Sequence, residues 1–176
     1  HSTASDGSFT PAEILEHAQK LNLAAIAITD HDSIDGSREA LQRGIPPSLN
    51  FLTGVEISAA HPPFFPGSGS FHILGYDIHL DNRDLNQALS KLQDARKNRN
   101  PEILKRLNQL GFRISLEDVH QEVGEGQLGR PHIAYTMMKK GYVASVEEAF
   151  DKYLGTAKPA YVDKYRIECK QAIDLI

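Results

Sequence analysis

One cysteine, Cys169, and no tryptophan occur among the 176 residues of the sequence. A single cysteine excludes an internal disulfide framework and a cysteine-based zinc cage. No apolar run approaches the roughly 20 residues that span a bilayer, and no signal peptide is visible, so we expect a cytoplasmic protein without a membrane partner. Nineteen Lys and Arg residues against 23 Asp and Glu give a net charge of −4, which argues against binding of long duplex nucleic acid. Hydrophobic residues make up 40% of the chain, enough to form a core.

The first 80 or so residues predict alternating helices and strands. Thr10, Pro11 and Glu13 predict the cap of a first helix, and the almost continuously apolar run 24–29 is typical of a parallel strand buried on both faces. The other predicted elements are a helix over 35–43, strands over 51–57 and 71–78, and a Pro- and Gly-rich loop over 61–69. This alternation indicates an α/β fold.

After residue 81 the pattern changes to short helices. Asn100 is a candidate N-cap, Pro101 fits the first position of a helix and Gly111 ends it, which predicts a helix break at Asn100. The remaining predicted elements are helices over 85–95, from 115, over 131–140, over 145–154 and over 168–176, and a strand at 161–162. We therefore predict an α/β domain over 1–82 and 159–176 that carries a helical insertion over 83–158.

Imidazole and carboxylate side chains stand at or near the predicted strand ends, where α/β enzymes place their chemistry. They are His1 with Asp6, the run Asp30-His31-Asp32, Glu56 and His72. Ionisable groups are costly to bury unpaired, and imidazole together with carboxylate suits zinc, manganese or iron(II). Carboxylates can also bridge two metals about 3.5–4 Å apart. Glu56 is the best candidate for such a bridge, and Gly54 beside it would permit close backbone approach.

Each of these residues also has a structural interpretation. Asp32 could cap the following helix, and Asp6 could be a turn residue before Gly7. Glu56 could belong to a buried ion pair. His72, taken alone, is better explained as a hydrogen-bonded core histidine than as a ligand.

Six stretches of the sequence, in this order, resemble motifs of the PHP (polymerase and histidinol phosphatase) superfamily. The stretches are His1-Ser-Thr-Ala-Ser-Asp-Gly-Ser-Phe-Thr-Pro11, Ile28-Thr-Asp-His-Asp-Ser-Ile-Asp-Gly36, Gly54-Val-Glu-Ile-Ser58, His72-Ile-Leu-Gly-Tyr76, Gly129-Arg-Pro-His-Ile-Ala134 and Pro159-Ala-Tyr-Val162. Together they cover essentially the whole chain. The later stretches most resemble the subgroup that contains nucleoside 3′,5′-bisphosphate phosphatases and 5′–3′ exoribonucleases.

The resemblance implies a distorted (β/α)7 barrel, incomplete in this chain, with a helical insertion subdomain and metals at the C-terminal ends of the strands. It implies that the metal ligands are His1, Asp6, His31, Glu56 and His72 and that two or three divalent ions, manganese, iron or zinc, are bound. Glu56, as the bridging carboxylate, and His31 become the candidate catalytic residues. Asp30 and Asp32 are expected to orient ligands or cap a helix rather than bind a metal.

The family pattern extends beyond both ends of the sequence. It has an Asp and a first His before the position of His1, and a late His and an Asp-x-His after the position of Ile176. The barrel portion is therefore expected to be truncated at both ends. We expect the 176 residues to supply about half of a metal shell and to fall short of a full cluster, which a metal titration of the chain would test.

Phosphate recognition is predicted for the helical insertion. Arg can bind phosphate oxygens through two hydrogen bonds, and a helix N-terminus favours an anion. We expect Arg99, Arg130 and His132 to bind a substrate phosphate, facing the metals. The alternative for Arg99, and more so for Arg96, is a solvated helix face.

The expected reaction is hydrolysis of phosphate esters of nucleotides, either 3′,5′-bisphosphates or short RNA 5′ ends, by metal-activated water. The expected partners are thus a phosphorylated small molecule or a short oligonucleotide. Two alternatives stay open. One is a phosphatase for histidinol phosphate or another small phosphomonoester, and the other is a non-catalytic PHP module of a polymerase-type assembly.

Overall fold

The computed structural model describes residues 1–65, 70–123 and 128–176 and divides them into two compact units. The first unit contains residues 1–65, 70–93 and 166–176, and the second lies within 94–165. The predicted loop over 61–69 is irregular over 61–65, and its last residues, 66–69, lie outside the described part. In the described part, no helix is both long and apolar enough to cross a membrane.

The first unit begins with the predicted alternation. Its elements are α1 (Pro11–Lys20), β1 (Ala25–Ile28), α2 (Asp35–Arg43), β2 (Asn50–Ala59) and β3 (Phe71–Tyr76). The predicted cap of α1 is confirmed, because Thr10 Oγ1 accepts from the Glu13 backbone N–H and the Glu13 carboxylate accepts from the Thr10 N–H. This unit also contains the last helix, predicted over 168–176 and observed as α7 (Cys169–Asp174).

The sheet has the order β1-β2-β3, with β1 parallel and β3 antiparallel to β2. Val55 and Ile57 point to the face that packs against helices and are fully buried. Glu56, one residue out of phase, points to the opposite face. On that face lie His72 and, more exposed, Leu74 and Tyr76. The candidate ligands therefore stand on the less covered side of the sheet.

The parallel pairing predicted for the strand at 24–29 is confirmed, but its burial on both faces is wrong. Only Ile28 of β1 is buried, and Ala25 is exposed. Within the described sheet β1 is an edge strand, and its burial pattern shows that only one of its faces is packed. That face packs Ile28 against Leu15 of α1 and Ala40 of α2.

The predicted helix break at Asn100 is also wrong. One helix, α3 (Arg83–Gln109), runs through Pro101. Proline removes one backbone hydrogen bond, but packing of the flanking residues offsets this loss: Ile103, Leu104 and Leu107 are buried in the core of the second unit. The Asn100 side chain caps nothing and instead donates from Nδ2 to the Leu128 carbonyl oxygen at 3.0 Å.

The second unit is helical. Besides the end of α3 it contains α4 (Leu116–Val123), α5 (Arg130–Lys139), α6 (Val146–Ala149) and a π-helical turn (Phe150–Leu154). The last two form the helix predicted over 145–154, and Ser145 Oγ accepts from the Glu148 N–H at its start. Ile133, Met137 and Leu154 are among the fully buried residues of the core of this unit.

The strand predicted at Tyr161 and Val162 is wrong. The Tyr161 N–H donates to the Lys158 carbonyl, so the chain turns at this point, and the Tyr161 carbonyl accepts from Arg106 at 2.5 Å. The return to the sheet comes later, as a single parallel bridge between Ile167 and Ala59. The prediction placed the strand at the apolar pair 161–162. The bridge is formed instead by Ile167, which has polar neighbours and therefore shows no strand pattern in the sequence.

Candidate metal centre

Four separate segments of the first unit bring the predicted metal ligands together. His1 and Asp6 lie in the segment before α1, His31 lies in the segment after β1, Glu56 lies in β2 and His72 lies in β3. Backbone pairing accounts for part of this convergence. The parallel pairing of β1 and β2 continues past Ile28 as a bridge between His31 and Glu56.

The Glu56 carboxylate is the centre of this cluster. Its Oε2 lies 2.8 Å from His1 Nε2, and its Oε1 lies 2.7 Å from His72 Nδ1. His31 Nδ1 is 3.5 Å from Oε2. Glu56 therefore contacts all three imidazoles.

Asp6 lies on the other side of two of these rings. Its Oδ2 is 3.6 Å from His31 Nε2, and its Oδ1 is 3.8 Å from His1 Nδ1. The rings of His1 and His31 are stacked with centroids 4.3 Å apart, and the His72 ring meets His31 edge-on at 4.8 Å. Each of His1 and His31 thus has one nitrogen toward Glu56 and the other toward Asp6.

The electrostatics of the cluster favour an ionised carboxylate. Burial of the Glu56 carboxyl opposes ionisation, but hydrogen bonds from His1 and His72 and the nearby His31 ring hold its pKa well below the usual range. The same hydrogen bond to Glu56 raises the pKa of His1, against the effect of partial burial. An ionised carboxylate surrounded by imidazoles is a site where a cation can replace protons.

The donor set fits a divalent metal. His1, His31 and Glu56 each offer one ligand atom, and these atoms lie within 4.8 Å of one another. Imidazole nitrogen and carboxylate oxygen are ligands of zinc, manganese and iron(II). The alternative interpretation of His72 as a hydrogen-bonded core histidine is right about the hydrogen bond, which its Nδ1 makes with Glu56, but the side chain is 25% exposed and so is not in the core.

Asp30 and Asp32, the two buried aspartates beside His31, hydrogen-bond to residues near the other candidate ligands. Asp32 accepts from the Ser58 backbone N–H at 2.7 Å and from Ser58 Oγ at 2.8 Å. It does not cap α2, whose N-cap is Ile34 without a side-chain hydrogen bond, so the capping interpretation is wrong.

Asp30 binds Ser2 and Ser5 of the opening segment. None of the three serines Ser2, Ser5 and Ser58 was predicted as a site residue, because a serine near a candidate ligand cannot be told from an ordinary turn residue by sequence.

The predicted close approach at Gly54 is confirmed. A Cβ at this position would lie 2.7 Å from Thr29 Cγ2 and 2.8 Å from the Ile28 carbonyl oxygen. The absence of a side chain therefore lets β2 pack against the end of β1, directly before His31.

The predicted phosphate ligands lie in the second unit. Arg96 and Arg99 of α3 are each 6% exposed, so the solvated-face interpretation is wrong for both. His132 is buried, and its Nδ1 accepts from the Gly129 N–H at 3.0 Å. Arg130 donates from Nη1 to the Leu154 carbonyl at 3.0 Å. The buried guanidinium of Arg96 lies beside Gly129 at the start of α5 and is the type of group that binds anions, although Arg96 was not among the predicted phosphate ligands.

The Arg130 guanidinium also contacts two aromatic rings. Its central carbon lies 5.6 Å from the centroid of Phe150 and 5.5 Å from that of Tyr161. These contacts fix the side chain near the start of α5, and they give Arg130 a structural role in addition to any role in binding.

The sheet and the cluster define an α/β domain with a candidate metal centre on one face. Residues 1–174 match the PHP domain family. The chain therefore belongs to the PHP family.

Known proteins resemble the chain over nearly its full length. It is 32% identical to the 5′-3′ exoribonuclease Rnm of Escherichia coli K12, of which it covers 59%. It is 30% identical to the 3′,5′-nucleoside bisphosphate phosphatase of Chromobacterium violaceum, of which it covers 60%. A crystal structure of a proposed metal-dependent phosphoesterase from Bifidobacterium adolescentis matches 99% of the chain with a TM-score of 0.88 and 29% identity, over 60% of that protein. The chain thus spans about three fifths of these relatives.

Proposed function

We propose that this chain carries metal- and phosphate-binding residues of a phosphoesterase acting on nucleotides. The substrates would be 3′,5′-bisphosphates or the 5′ ends of short RNA, by similarity to the 5′-3′ exoribonuclease and the 3′,5′-nucleoside bisphosphate phosphatase. The observation that carries the proposal is the contact of Glu56 with three imidazoles from separate segments, with Asp6 beside two of them. Carboxylates and imidazoles gathered in this way form a donor set that suits a divalent cation.

The proposed ligands are His1, Asp6, His31, Glu56 and His72, which would hold divalent manganese, iron or zinc. A bound divalent ion would supply a water of lowered pKa near neutral pH. Two or three ions would need more donors than these five side chains offer, since zinc alone takes about four ligands. We therefore expect the chain by itself to bind fewer ions than a complete cluster.

Within this site the residues have distinct roles. Glu56, ionised because of its histidine neighbours, offers one oxygen to His72 and the other to His1, so it can serve two positions at once. His31 holds one nitrogen toward Glu56 and one toward Asp6. We assign Glu56 and His31 as catalytic residues on this basis. Asp32 keeps the chain next to His31 in place through Ser58.

Arg99, Arg130 and His132 are proposed to bind a phosphate group of the substrate. The burial of Arg99 and His132 and the position of His132 in the first turn of α5 support this assignment. A guanidinium that is already desolvated forms stronger charge-assisted hydrogen bonds with an anion. The finer description of the fold, a PHP barrel with a helical insertion over 83–158, is part of the same proposal.

The test is a substrate panel with the manganese-loaded protein: adenosine 3′,5′-bisphosphate, a short 5′-phosphorylated RNA and histidinol phosphate. Release of phosphate or nucleotide from the first two supports the proposal, and preference for histidinol phosphate favours the alternative specificity. If no substrate is hydrolysed either with or without added metal, the non-catalytic module is favoured. Glu56→Gln should abolish turnover, whereas Glu16→Gln on the exposed side of α1 should leave it unchanged.

A further inference from the structure

We infer that Asp30 is a positioning residue that fixes two proposed metal ligands through Ser2 and Ser5. These three residues are named the aspartate latch. The inference rests on the proposed function for its consequence, metal binding, but its structural part can be tested in metal-free protein.

Three hydrogen bonds make up the latch. Asp30 Oδ1 accepts from the Ser2 backbone N–H at 2.5 Å and from Ser5 Oγ at 2.7 Å, and Oδ2 accepts from Ser2 Oγ at 2.7 Å. All three residues are buried, with exposures of 0–2%. Hydrogen bonds to a charged acceptor in such surroundings are stronger than those at a surface.

Each latch residue is next to a proposed metal ligand in the sequence. Ser2 directly follows His1, Ser5 directly precedes Asp6, and Asp30 directly precedes His31. The latch therefore ties the opening segment to the end of β1 at the points where the ligands project. It explains how His1 and Asp6, which lie outside any helix or strand, meet the ring of His31.

Glycines pack tightly against both sides of the latch. A Cβ on Gly36, in the first turn of α2, would lie 2.0 Å from Asp30 Oδ2 and 2.6 Å from Ser2 Oγ. A Cβ on Gly7 would lie 2.2 Å from the His1 carbonyl oxygen. The Asp30 carboxylate consequently has little room to move, so it cannot shift to restore a hydrogen bond that a substitution removes.

An amide cannot replace the Asp30 carboxylate. In Asp30→Asn one oxygen becomes an NH2 group that faces Ser2 Oγ. Ser2 Oγ already accepts from the Ala4 N–H at 3.1 Å and has a second lone pair for the amide, but its own proton would lose the acceptor that Asp30 Oδ2 provides. We expect the opening segment to shift and the ligands His1 and Asp6 to move away from His31.

The experiment compares Asp30→Asn and Ser2→Ala with Ser37→Ala. Ser37 is a matched control, because it is a buried serine that bonds the Ile28 carbonyl and the Gly54 N–H without touching the opening segment. Two quantities are measured: the nuclear Overhauser effect between the His1 and His31 rings in metal-free protein, and the affinity for Mn²⁺. Urea unfolding of every variant records the general loss of stability.

The latch predicts loss of the ring-to-ring effect in Asp30→Asn and Ser2→Ala, with Mn²⁺ affinity lowered about 10- to 100-fold. Ser37→Ala should keep both, even at equal destabilisation. Retention of the effect and affinity in the two latch variants, or an equal decrease in the control, would overturn the inference. If Asp30→Asn does not fold, Ser5→Ala takes its place. This variant removes a single hydrogen bond to Asp30 and should also lose the ring-to-ring effect and Mn²⁺ affinity. If the parent chain shows the ring-to-ring effect but binds no Mn²⁺, and the latch variants lose the effect, the latch is supported and the proposed function is refuted.

Discussion

His31 and Glu56 face each other across a parallel bridge that lies beyond the end of β1. The Glu56 N–H donates to the Asp30 carbonyl, and the Asp32 N–H donates to the Glu56 carbonyl, each at 2.9 Å. The backbone of the sheet thus sets the distance between an imidazole and the carboxylate at the centre of the cluster. Substitutions that disturb this pairing should affect metal binding without altering any ligand.

Gly54→Ala tests this dependence. Its Cβ would meet Thr29 Cγ2 and the Ile28 carbonyl oxygen, so we expect a loss of about 1–3 kcal/mol in the free energy of unfolding. Mn²⁺ affinity, measured by calorimetry, should fall as well. The control is Gly111→Ala, where no atom lies within 4 Å but φ is +95°. It should cost about 1 kcal/mol and leave Mn²⁺ affinity unchanged. Unaltered affinity in Gly54→Ala would contradict the role of the pairing.

The raised pKa of His1 predicts a pH dependence in metal-free protein. The hydrogen bond to Glu56 raises this pKa, against burial. A group whose pKa is raised on folding stabilises the protein below its unfolded pKa, and the stabilisation disappears as pH rises through the folded pKa. Glu56→Gln should return the His1 pKa toward its usual value of 6.5, as followed by the NMR titration of its ring proton. An unchanged titration curve would show that Glu56 is not its partner.

The second unit should have its own acid transition. A hydrogen bond from Lys140, with others from the Ser115 N–H and Oγ, lowers the pKa of Asp118 from 3.8 to about 2. This stabilisation is complete above the unfolded pKa and decreases as pH falls toward the folded value. Asp118→Asn should therefore weaken the pH dependence of unfolding between about pH 5 and 2. The free energy of unfolding is measured by urea titration at several pH values. An equal change of this free energy with pH in both proteins would contradict the prediction, and Glu117→Gln is the control.

Arg130 combines a structural and a proposed binding role. Arg130→Ala removes the hydrogen bond to Leu154 and the contacts with the rings of Phe150 and Tyr161. We expect a loss of about 1–2 kcal/mol in stability and a higher KM for nucleotide substrates. Lys139→Ala, which removes a cation beside the ring of Tyr135, is the matched control and should leave KM unchanged. An unchanged KM in Arg130→Ala would remove this residue from the phosphate site.

Local signals in the sequence predicted most of the fold. The capping residues Thr10 and Glu13 located α1, and Gly54 indicated a close backbone approach. The errors arose where tertiary packing outweighs local preference. Pro101 lies inside a continuous helix because the residues beyond it are buried, and Tyr161 forms a turn because its backbone binds Lys158 and Arg106.

The candidate site was predictable to a different extent in its two parts. The acids and histidines of the cluster stand out because ionisable groups next to apolar strands need a compensating partner. The serines that support them do not, since Ser2 and Ser5 look like ordinary turn residues until their distance from Asp30 is known. Likewise, nothing in the period of α3 shows that Arg96 is buried.

The most direct test is anomalous diffraction from crystals of the protein grown with Mn²⁺, with Glu56→Gln as the comparison. We predict a manganese peak in contact with the Glu56 carboxylate and the imidazoles of His1 and His31, and the loss of this peak in the variant. A folded protein that shows no peak at Glu56 in saturating Mn²⁺, or that binds the ion only elsewhere, would contradict this prediction.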